Sequence, residues 1–148
     1  MSTIASGAES NTVVSPQQSK GLNVGLWVAQ VALAFAFAMA GFAKVAQPIA
    51  EVAQKMPFAA VLPEWLVRFI GVSELAGAVG LILPALTRIK PLLTAWAAVG
   101  LATVMVLAMV FHISRGEMNN LPGPLVLGAI AAFIAWGRFG KAPIPSRR

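Results

Sequence analysis

Five side chains in this sequence have the chemistry and the placing to form a working site. Glu74 sits well inside a long apolar run, while Lys44, His112, Arg115 and Glu117 close or follow neighbouring apolar runs. A carboxyl, an ammonium and an imidazole brought together in an apolar setting can hold or relay a proton, and an unperturbed imidazole pKa near 6.5 suits that task. The rest of the inventory is thin. Cysteine and tyrosine are absent, there is a single histidine, and no aspartate occurs. Thiol redox chemistry, disulfides, thiolate metal sites, a bis-histidine haem within one chain and a Ser-His-Asp set are thereby excluded, and no glycine-rich phosphate loop is present. No metal site is expected, and independent catalysis is not expected either. A lipid-soluble ligand of the quinone class, held between apolar walls with Lys44, Glu74 and His112 near its head group, is the chemistry that remains.

These residues must be positioned by membrane-spanning helices. Of 148 residues 58% are hydrophobic and 11% charged, against roughly 45–50% and about 25% in an ordinary soluble domain. From Leu22 to about Val45 no charge occurs before Lys44, a length that crosses ~30 Å of hydrocarbon at ~1.5 Å per residue. Trp65 to about Leu86, Pro91 to about Ile113 and Leu121 to Phe139 supply three more spans. A cleaved leader is the rival reading of the first, with Lys20 as its basic start and Ala38-Met39-Ala40 as its cleavage pattern. Its apolar stretch exceeds the usual ~7–15 residues, and cleavage would leave an odd number of spans. Between the first two spans, Ile49, Val52, Ala53 and Met56 recur at helical spacing opposite Glu51, Gln54 and Lys55, which predicts a short amphipathic segment at the interface. The fold class expected is thus all-α: an integral membrane four-helix bundle with that segment between spans one and two. Residues 1–20 read as a disordered tail, 21–140 as the four-span domain and 141–148 as a basic tail.

The net charge of +6 suits a membrane surface, and no nucleic-acid partner is expected. Lys20, Arg88, Lys90, Arg138, Lys141, Arg147 and Arg148 fall at the end of the bundle that holds both termini, whereas Lys44, Lys55 and Arg115 fall at the other. The positive-inside tendency then places both termini in the cytoplasm of a multi-pass cell-membrane protein. Arg138 and the basic residues after it are expected to touch phospholipid headgroups.

Glu74 lies roughly 13 Å along its helix from Trp65, where an unpaired carboxylate would cost several kcal/mol. Lys44, on the neighbouring span and with a long stem, is the first choice of partner. Arg68 precedes Glu74 by about 240° of net rotation and faces elsewhere, so it pairs with Glu64 one turn earlier. Gly71, Gly77 and Gly80, at small-residue spacing around Glu74, read as helix-packing positions.

The runs Gly41-Phe42-Ala43-Lys44, Gly71-Val72-Ser73-Glu74-Leu75-Ala76-Gly77 and on to Pro84, then Pro91, Phe111-His112, Arg115-Gly116-Glu117 and Gly137-Arg138 resemble the DoxX-like family in order and spacing, from about Leu22 to Arg138. The resemblance implies a small four-span bundle, with the family's signatures on Lys44 and on Gly71, Glu74 and Gly77. The family is named for a subunit of an archaeal thiosulfate:quinone oxidoreductase, and bacterial relatives are linked to oxidative-stress complexes. It implies an accessory subunit of a quinone-linked redox or oxidative-stress membrane complex. Distant animal relatives resemble assembly chaperones or cargo receptors, so a scaffold or assembly factor for other membrane proteins is the alternative.

Overall fold

Ser19 starts the first helix by accepting the Leu22 N–H on its hydroxyl at 3.3 Å, which satisfies one of the free donors of the first turn. In a computed structural model that describes residues 18–148, α1 then runs over Lys20–Ala46. It stops because Pro48 pushes the preceding Gln47 to an extended ψ of 151°. A short α2 (Ile49–Lys55) and a 3-10 turn (Pro57–Ala60) follow, each entered beside a proline. Then come α3 (Glu64–Thr87), α4 (Leu92–Ser114), a 3-10 turn (Met118–Asn120) and α5 (Pro122–Trp136), which continues through a π-turn over Gly137–Lys141. The expected tail falls, for residues 1–17, outside the described residues.

Four of these segments are long and apolar enough to cross a membrane. They pack as a ring in chain order, α1 on α3, α3 on α4 and α4 on α5, and the contact between α5 and α1 is the thinnest. Leu33, Phe37, Leu81, Leu101 and Ile134 fill the centre. Phe35, Phe69 and Leu107 are among many large apolar side chains on the outside, as lipid requires of a spanning bundle. The short α2 buries Val52 against Ala59 and Val67, while Glu51, Gln54 and Lys55 face outward. The amphipathic segment thus uses its apolar edge to clamp the connection onto the start of α3.

In lipid, helices associate by close approach rather than by hydrophobic drive, and glycine permits it at two places. A Cβ added at Gly41 would sit 2.8 Å from the Gly71 carbonyl oxygen, and one at Gly71 would sit 2.7 Å from the Lys44 Cβ. Gly77 and Gly80 face α4 instead, where an added Cβ would meet Leu101 at 2.5 Å and the Ala97 Cβ at 2.7 Å. The three glycines of α3 therefore serve two neighbours.

The turn between α3 and α4 is tight enough to force Arg88 and Lys90 to φ values of 57° and 48°, a left-handed backbone that costs a non-glycine residue about 1–2 kcal/mol. Residues 141–148, expected as a basic tail, fold back on the bundle. Ala142 is fully buried, and the Arg147 N–H donates to the Arg88 carbonyl at 2.8 Å. The Gln18 side-chain amide donates to the Pro143 carbonyl at 2.8 Å, so both ends of the described chain and the α3–α4 turn meet at one end of the bundle.

Candidate functional site

Lys44 lies in the last turn of α1, its Cβ pressed toward Gly71, and its stem reaches along α3 to Glu74. The ammonium donates to Glu74 Oε2 at 2.6 Å, and the two side chains are 5% and 4% exposed. An isolated carboxylate or ammonium at this depth would be strongly disfavoured, whereas a short, charge-assisted pair is tolerable. The Phe58 ring, on the turn after α2, covers the pair with its centroid 5.7 Å from the ammonium. The first loop thereby becomes a lid over a sealed ion pair.

Arg68 binds Glu64 through Nε and Nη2 at 3.2 and 2.8 Å, and it does something the spacing alone did not reveal. Its Nη1 donates to the carbonyls of Lys44 and Gln47 at 2.6 and 2.7 Å. These belong to the end of α1, where carbonyls lack intrahelical donors and the helix dipole is negative. One arginine thus caps the helix that carries Lys44.

His112, Arg115 and Glu117 form a second group around the C-terminus of α4. The His112 Nδ1 lies 2.8 Å from Glu117 Oε2, and Arg115 Nε donates to Glu117 Oε1 at 2.8 Å. Gly116, at a φ of 71°, lets the chain double back so that the Glu117 N–H also reaches the His112 carbonyl at 2.9 Å. Hydrogen bonds from Arg115 first, and then from His112, hold the Glu117 carboxyl below its ordinary value of 4.5. Among the described residues no hydrogen bond or ion pair joins this group to Lys44 and Glu74. The five candidate residues are brought together as a pair and a trio.

At the opposite end of the bundle is a polar centre that sequence reasoning missed. Arg138 is 2% exposed, which corrects the expectation that it extends outward into the headgroup layer. The π-turn, closed by the Ala142 N–H on the Gly137 carbonyl at 2.7 Å, winds the end of α5 differently from an α-helix and turns Arg138 inward. Its Nε donates to Gln30 Oε1 at 2.6 Å, and its Nη1 donates to Asn23 Oδ1 and the Ala142 carbonyl at 2.7 and 2.9 Å. The Gln30 amide in turn donates to the Leu81 carbonyl at 2.8 Å, so α1, α3 and α5 are joined. The Trp27 ring lies 5.6 Å from the guanidinium carbon. Among the described residues no carboxylate enters this centre, and Nη2 has no partner.

Two cavities of 420 and 240 Å³ lie away from the Lys44–Glu74 pair and from His112. The larger is walled by α4, Arg138 and the returning C-terminal segment, and the smaller by small residues of α3 and α4. Among the described residues no three His, Asp or Glu side chains gather closely enough to hold a metal ion. A family model described as the DoxX-like family matches residues 28–134. No curated protein and no solved structure matches the chain.

Proposed function

Because the chain belongs to the DoxX-like family, we propose that it serves as an accessory, non-catalytic membrane subunit of a quinone-linked redox or oxidative-stress assembly. The observation that carries the accessory role is the state of the ionisable groups. Lys44 and Glu74 neutralise one another out of reach of solvent, and His112 and Arg115 both bind Glu117. Groups bound in this way stabilise a bundle, and none presents a free base or nucleophile to a substrate. Redox chemistry would then belong to a partner, and the quinone context rests on the family resemblance.

A scaffold or assembly factor is the second reading, favoured by the outer groove of α3 and α4. Ser73, Ala76, Gly77, Ala97 and Gly100 line it, and small residues of this kind let the backbone of another spanning helix approach closely. The distribution of basic residues supports cytoplasmic termini under either reading.

Photo-cross-linking from Ala76 and Gly100, followed by extraction in mild detergent, tests both. A redox-cofactor protein captured there supports the accessory subunit, and nascent or unassembled membrane proteins support the scaffold. Quinone reduction by the purified chain alone would overturn both. Reporter fusions at the C-terminus and near Gln54 check the topology, and an extracytoplasmic C-terminus would refute it.

A further inference from the structure

The cavity at the terminal end of the bundle combines apolar and cationic walls. Leu92, Leu93 and Trp96 of α4 and Ile144 of the returning segment supply its apolar wall, and Lys90 and Arg138 line it as well. Among the described residues, Arg138 is buried without a counter-ion, and its Nη2 lacks a hydrogen-bond partner. A buried guanidinium ordinarily has its donors satisfied, so an unpartnered nitrogen calls for an acceptor.

Charge at this end is one-sided. Arg88, Lys141, Arg147 and Arg148, in the α3–α4 turn and the C-terminal segment, share this end with the cavity's two cations, whereas Glu51, Glu64, Glu74 and Glu117, the acidic residues among those described, belong to the opposite half. Lys90 is also held at a positive φ, which fixes its backbone at the cavity edge just before α4. A ligand that fits must bring negative charge, acceptor oxygens and an apolar tail, and it must reach the cavity from the membrane.

We propose that this cavity binds one anionic phospholipid, with its phosphate oxygens accepting from Lys90 and Arg138 and its acyl chain lying against Leu93 and Trp96. The cationic end would then take its counter-charge from the bilayer. Anionic headgroups are attracted to such basic clusters by about 1 kcal/mol per Lys or Arg.

The test uses the full chain in detergent, with native mass spectrometry and thermal unfolding as readouts. Phosphatidylglycerol should be retained as a single adduct and should raise Tm, while phosphatidylcholine and inorganic phosphate should not. Lys90→Gln, an exposed position, should weaken phosphatidylglycerol binding about fivefold. Lys55→Gln, at the far end, should leave binding unchanged. Arg138→Gln should abolish the adduct if it folds, and Lys90→Gln decides the matter if it does not. Equal retention of both lipids, an unaltered Lys90→Gln, or equal losses in Lys90→Gln and Lys55→Gln would overturn the proposal. So would the same stabilisation by inorganic phosphate alone, which would make the site one for a soluble anion.

Discussion

The two buried cations of this bundle are handled in opposite ways. Lys44 faces a carboxylate at 2.6 Å, so its centre is closed and electrically neutral. Arg138 is surrounded by an amide from Gln30, an amide from Asn23 and a backbone carbonyl, which are dipoles without net charge. Guanidinium is more weakly hydrated than ammonium and spreads its charge over a planar fork, so neutral acceptors can accommodate it where a lysine would need an anion. A paired centre therefore depends on both of its members, while a dipole-solvated one keeps its charge available.

The largest effect should come from breaking the pair. Glu74→Gln alone strands an ammonium and should cost about 3–5 kcal/mol, whereas Glu74→Gln with Lys44→Met should recover much of that loss. Thermal or denaturant unfolding of the two single variants and the double variant reads this coupling. Additive losses would show that the two residues are energetically independent.

A smaller loss is expected from Arg138→Leu, about 1–3 kcal/mol, because it leaves the Gln30 and Asn23 oxygens without a donor but no charge behind. A loss as large as that of Glu74→Gln would erase the contrast between the centres. Adding Gln30→Leu should recover part of the loss, since the orphaned acceptor goes with it, and unfolding midpoints measure both steps.

The smallest effect belongs to the trio at the end of α4. Glu117 has a carboxyl pKa below its unfolded value, so its contribution to stability is fully present above the ordinary 4.5 and is lost as pH falls through the lowered folded value. The difference in Tm between the parent chain and Glu117→Gln should therefore be steady near neutrality and close in acid. A difference that grows in acid would contradict the Arg115 and His112 bonds.

Much of the paired centre is legible in the sequence. A glutamate inside one apolar run and a lysine closing the preceding run are conspicuous, and helix geometry together with chain order brings them together. The short α2 is equally legible, because Ile49, Val52, Ala53 and Met56 repeat at helical spacing. Arg138 is not. Its place near the end of a span reads as a headgroup contact, and the π-turn that swings it inward leaves no hydropathy signal. Gln30 is neutral and sits among apolar residues, so nothing marks it as the partner that joins three helices. The cap that Arg68 places on α1 was missed for a related reason, since its acceptors are backbone carbonyls, which every sequence possesses.

The ring packing and the two centres together also set an order of biogenesis. Lys44 and Glu74 lie on α1 and α3, which leave the ribosome before α4 and α5, so each unfavourable charge finds its partner as soon as that hairpin exists. Gln30 must wait for Arg138, at the end of the last span, and the seam between α1 and α5 is the thinnest of the ring. Early insertion is thus guarded by an ion pair, and closure of the ring is registered by an arginine–amide latch that forms only when α5 arrives.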